Sequence, residues 1–134
     1  MASKKNYALL LAWLISLVGL IGNSSATHIS QPVVENPKTH YAIGEPIVLH
    51  GWVDYNGQPA PDVLLNFKLT RPNGNVAVEQ FYSSDSNGRF DFKFDTKNEE
   101  PGDYQLTITS HCLEIHRYAC TYKYQTLPIQ LKNP

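Results

Sequence analysis

No helical period runs through this sequence once its N-terminal apolar stretch is set aside, so a helical bundle or an alternating α/β layer fold is excluded. Charge of one sign is never gathered into an extended run: 11 Lys and Arg are interspersed with 12 Asp and Glu. Nucleic acid is therefore not an expected partner, because phosphate neutralisation requires clustered Lys and Arg, and polybasic attraction to anionic lipid fails for the same reason. A G-x-S-x-G elbow is missing, and no histidine lies in a motif that would pair it with a nucleophile. The chain is expected not to be an enzyme and to need no cofactor. Cysteine is limited to Cys112 and Cys120, with no closely spaced pair of the kind that builds zinc sites.

What is present begins with an export signal. Lys4 and Lys5 make a basic start, Ala8 to Gly22 is uncharged and mostly apolar, and Ser24-Ser25-Ala26 offers small residues for cleavage before Thr27. Residues 1–26 are assigned to this signal. The apolar stretch is shorter than the roughly 20 residues that span a bilayer, so removal is expected and a retained anchor is the alternative. No cysteine follows it, which argues against a lipoprotein anchor. The mature chain is then secreted or periplasmic, without membrane attachment. Thr27 to Pro134 has the length of a single domain with one core.

Residues 27–40 are polar and contain Pro32 and Pro37, which suits a leader or an edge strand. The domain proper is placed at residues 41–134. Gly44-Glu45-Pro46 makes a turn, after which Ile47, Leu49, Gly51 and Val53 alternate with Val48, His50, Trp52 and Asp54. Val63, Leu65, Phe67 and Leu69 define a second clean inward face, closed by Pro72-Asn73-Gly74-Asn75. From Val76 to Ser83 the inward set is ambiguous, since Val76, Val78 and Tyr82 compete with Ala77 and Phe81. Phe90, Phe92 and Phe94 share one face and are expected in the core. Tyr104, Leu106 and Ile108 face inward on the next strand. The last strand changes parity between Cys120, Tyr122, Tyr124 and Leu127, Ile129, Leu131, for which a bulge or bend near Thr126 to Pro128 is expected. The total is about seven strands with turns every 8–12 residues, the pattern of an all-β, immunoglobulin-like antiparallel sandwich.

Five segments occur in order: Tyr41-Ala-Ile-Gly44-Glu45-Pro46-Ile-Val-Leu, Gly57-Gln-Pro59, Pro72-Asn-Gly74, Ser84-Asp85-Ser-Asn-Gly88-Arg-Phe90 and Pro101-Gly102-Asp-Tyr104. This order resembles the bacterial Ig-like and macroglobulin-type β-sandwich modules of exported proteins, and carboxypeptidase-regulatory and transthyretin-like domains share part of it. The resemblance runs from Tyr41 to about Ser110. It implies a spacer, adhesion unit or binding platform; no thioester motif or bait region accompanies it, so inhibition by whole macroglobulins is not implied. Tyr104 after Pro101-Gly102 resembles a tyrosine corner, a structural role.

The candidate sites are few. Cys112 and Cys120 form an even pair in an oxidising compartment, and a disulfide closing the short loop 113–119 would contribute on the order of 2–3 kcal/mol. The alternative is a zinc or copper site built on His111 and His116, with or without the two sulfurs. His28, His40 and His50 are far apart in sequence and are taken as solvated or edge residues. Asp85-x-Asn87-Gly88 is like the start of a calcium loop, but Thr96 stands where the closing Glu belongs, so a hairpin turn is expected. Trp52, Tyr122 and Tyr124 could form one outer aromatic strip that docks an envelope or extracellular protein or a glycan. For Trp52 the competing reading is a buried core residue, as Ig-like folds often have.

Overall fold

A computed structural model describes residues 30–111 and 123–134, and no helix occurs among them. They form nine strands: β1 (Ser30–Val34), β2 (His40–Ala42), β3 (Ile47–Tyr55), β4 (Gln58–Pro59), β5 (Leu64–Thr70), β6 (Val76–Ser83), β7 (Arg89–Phe94), β8 (Gly102–Ser110) and β9 (Lys123–Lys132). The signal assigned to residues 1–26, both cysteines and His116 lie outside the described residues.

Two sheets pack face to face. In the first, β3 is central, flanked antiparallel by β1 on one side and by β7 on the other, with β4 folding back on the end of β3. The second has the order β2-β9-β8-β5-β6. Its pairs are antiparallel except β2 with β9, where His40 to Ala42 run parallel to Gln130 to Lys132. Period-2 alternation turns Ile47, Leu49 and Val53 of β3 and Phe90 and Phe92 of β7 inward, against Leu65, Phe67 and Leu69 of β5, Leu106 and Ile108 of β8, and Leu127, Ile129 and Leu131 of β9. Phe67 is the hub, stacked on Phe92 at 5.7 Å and edge-on to Phe90 at 5.5 Å. Burying each such side chain contributes about 1.5–3 kcal/mol.

Buried hydroxyls tie the connections to this core. Ser30 and Ser110 share a 2.7 Å hydrogen bond between β1 and β8, joining the two sheets. Thr96, fully buried, accepts from the Gly44 amide at 2.8 Å and donates to the Glu45 carbonyl at 2.7 Å. Ser84 donates to the Ala60 carbonyl and accepts from the Val63 amide. Tyr104 donates to the Glu100 carbonyl at 2.8 Å, four residues upstream, which is the tyrosine-corner arrangement.

One local expectation is corrected. β9 pairs with β8 without interruption from Lys123 to Leu131, so no bulge exists near Thr126 to Pro128; Tyr124 simply points outward while Leu127, Ile129 and Leu131 point inward. The register shift falls instead between Leu69 and Thr70, opposite the start of β6. The Asp85 loop is the hairpin turn expected there: its carboxylate accepts from the Asn87 and Arg89 amides, with Gly88 at φ 74°.

Candidate functional site

The outer face of the five-stranded sheet carries the most exposed aromatic side chains among the described residues. Register places Phe81 of β6 opposite Asn66 of β5, Asn66 opposite Thr109 of β8, and Thr109 opposite Tyr124 of β9. These four side chains therefore form one cross-strand row, with rings at both ends and an amide and a hydroxyl between them. Three inter-strand spacings separate the rings, about 14 Å. Phe81 is 58% exposed and Tyr124 69%. Leu64, one step along β5, is also exposed, and the His111 ring lies 6.5 Å from that of Phe81. The next row holds Glu79, Lys68, Thr107 and Thr126. The central row itself is uncharged.

Phe81 is the member that sequence reading left undecided. Strand parity alone could not choose between the two faces of β6, but pairing does: Leu65, Phe67 and Leu69 face the core, so their partners Tyr82, Gln80 and Val78 lie on that side. Phe81 is then forced outward.

Trp52 belongs elsewhere. It sits on the outer face of the four-stranded sheet, half-buried between its register partners Val33 of β1 and Arg89 of β7, outside the core. Arg89 is held by Glu35 at 2.8 Å, and His50 pairs with Asp91 on the same face. Trp52 and Tyr124 consequently look away from each other across the sandwich, and the single strip expected from the sequence does not exist between them. The reason is that the two strands belong to different sheets. Tyr122, the third member, lies outside the described residues. Of the candidate metal ligands His111 and His116, only His111 is described, half-buried at the end of β8; among the described residues no three His, Cys, Asp or Glu side chains cluster as a metal site.

One end of the sandwich is concave. A cleft of about 400 Å³ lies between the β5–β6 turn and the loop before β8, lined by residues that include Arg71, Asn75, Asn98, Glu99 and Tyr104. Its one guanidinium is already committed: Arg71 donates from Nε and Nη2 to the two oxygens of Glu99, and this partner raises the Arg71 pKa. Burial, then the nearby Glu99 charge, raises the Tyr104 pKa. Among the described residues that line it there is no serine, threonine, cysteine, histidine or lysine.

No protein-family model matches the chain, and no curated protein matches it in sequence. Solved structures do resemble it. A tetra-tandem repeat from the extending region of a large adhesion protein superposes with a TM-score of 0.54 at 14% identity, covering 79% of this chain and 24% of that one. The CARDB domain of a Pyrococcus furiosus protein follows at TM-score 0.45 and 12% identity, covering 78% and 86%. A conjugative transposon lipoprotein from Bacteroides eggerthii gives 0.46 at 8% identity, covering 75% and 95%. This chain thus spans about a quarter of the adhesion-protein structure. Topology and this likeness together define the fold as an immunoglobulin-like β-sandwich.

Proposed function

We propose that the protein is an exported, non-catalytic β-sandwich module of the bacterial Ig-like or macroglobulin type, cleaved after Ala26, braced by a Cys112–Cys120 disulfide, and acting outside the cytoplasm as a binding unit. The observation that carries the binding role is the row Phe81, Asn66, Thr109, Tyr124 on the outer face of the five-stranded sheet. Protein hot spots gather their rings at a desolvated centre. Here the rings stand apart with hydrogen-bonding groups between them, an arrangement suited to a neutral glycan chain laid across the strands: each ring stacks on the apolar face of a sugar, and Asn66 and Thr109 bond its hydroxyls. The absence of charge in the row matches an uncharged polymer. The adhesion-protein repeat of like fold is in keeping with a role outside the cell.

Co-sedimentation with purified envelope polysaccharide tests this, comparing the parent with Tyr124→Ala. Tyr124 is largely exposed, so the variant should keep its melting temperature and lose retention. Retention by protein-containing but not by polysaccharide fractions would replace the glycan with a protein partner. Unchanged retention of the variant would remove the face from the function.

A further inference from the structure

The five strands that end a sheet among the described residues are not equally protected. β1 has five residues and contains Pro32, β4 has two and ends in Pro59, and β2 has three. β7 carries Lys93, and its Asp91 carbonyl accepts a hydrogen bond from the Tyr82 hydroxyl. β6 differs from all of them. It is eight residues long, has no Lys, Arg or Pro, and bears a single charge, Glu79. The register shift touches only its first residues, where Arg71 also occupies the Val76 carbonyl. From Val78 to Ser83 no strand among the described residues takes up the outer edge. A long, regular edge of this kind is a template for another strand, and natural proteins ordinarily blunt it with lysine, proline or a bulge.

We infer that β6 pairs antiparallel with β6 of a second copy of this chain, about a two-fold axis through Phe81. Side-chain parity limits the registers, because residues directly opposite in an antiparallel pair must share a face. An axis at Gln80 would set each Phe81 against Glu79. An axis at Phe81 sets Phe81 against its own copy and Glu79 against Ser83, so the exposed ring gains an aromatic partner and the two carboxylates are kept apart. The contact is isologous and closes at two copies. It fuses the two five-stranded sheets into one continuous outer face bearing Tyr124 at either flank. This inference goes beyond the glycan reading and is measured without any ligand.

Sedimentation velocity of the exported full chain over a concentration series should show the mass rising from one chain to two. Phe81→Lys, placing a charge on its own copy at the axis, should remain a single chain throughout with its melting temperature retained. Tyr124→Ala should still dimerise, which separates failure of this contact from failure of glycan docking. Under oxidation Phe81→Cys should yield a covalent dimer absent from the parent, and Glu79→Cys should cross-link to Ser83→Cys in a mixture but not to itself. A parent that stays monomeric, a dimer that survives Phe81→Lys, or a Glu79→Cys homodimer formed as readily as that of Phe81→Cys would each overturn the inference.

Discussion

The hydroxyl of Tyr82 donates a hydrogen bond to the backbone carbonyl of Asp91, reaching from the edge strand of one sheet to that of the other. Its ring meanwhile stacks on Phe67 at 4.4 Å with planes 12° apart. One side chain thus closes the open side of the sandwich and seals the aromatic core. Burial first, and the Asp91 charge second, raise its pKa above the ordinary tyrosine value of 10.0. Because the folded-state value is the higher one, the associated stability is complete below the unfolded value and is lost as pH rises beyond it. Tyr82→Phe keeps the stacking and removes the hydroxyl. It should cost about 1 kcal/mol near neutrality and flatten the alkaline limb of the stability curve, both read by urea denaturation.

Gly51 is buried on the inner face of β3, where a Cβ would stand 2.3 Å from the Val33 carbonyl oxygen and 2.4 Å from the Phe90 ring. Neither a backbone carbonyl in a paired strand nor a packed phenyl ring can retreat cheaply. Gly51→Ala should therefore destabilise the fold by about 1–3 kcal/mol, visible as a lower melting temperature with the β-sheet spectrum retained.

Trp52 and Phe67 separate surface from core. Phe67 is fully buried at the aromatic hub, so Phe67→Ala should cost about 3–5 kcal/mol. Trp52 rests half-exposed on the opposite side of its sheet from the core, and Trp52→Ala should cost about 1–2 kcal/mol. Equal losses in denaturant titrations would show Trp52 to be packed as tightly as the core.

Glu45 anchors the turn before β3. Its carboxylate accepts from Lys38 and, at 3.1 Å, from the Ala42 amide, and these bonds lower its pKa from the model-peptide value of 4.5. A depressed carboxylate contributes stability above its unfolded pKa and loses it as pH falls through the folded one. Glu45→Gln should accordingly be less stable than the parent near neutrality, with the difference shrinking to nothing in acid. A difference that persists at low pH would assign the effect to the amide's geometry.

Much of this was legible in the residues themselves. Alternation in Ile47 to Val53 and Val63 to Leu69 gave both faces of β3 and β5, Phe90 and Phe92 proved buried, and Tyr104 forms its corner bond with Glu100. Each is a local property: period-2 geometry fixes which neighbours along one strand share a side, and turn residues mark where the strand stops. The docking row was not legible, because Phe81, Asn66, Thr109 and Tyr124 stand on four strands and meet only through register. The same holds for the separation of Trp52 from Tyr124, for the parallel docking of β2 on β9 and for the unprotected edge of β6. Sequence alone determined the inward faces of β3, β5, β7 and β8, since hydrophobic burial acts on each strand's own pattern. Only the tertiary structure decided which strands are neighbours and which are edges, since pairing depends on contacts between segments far apart in the chain.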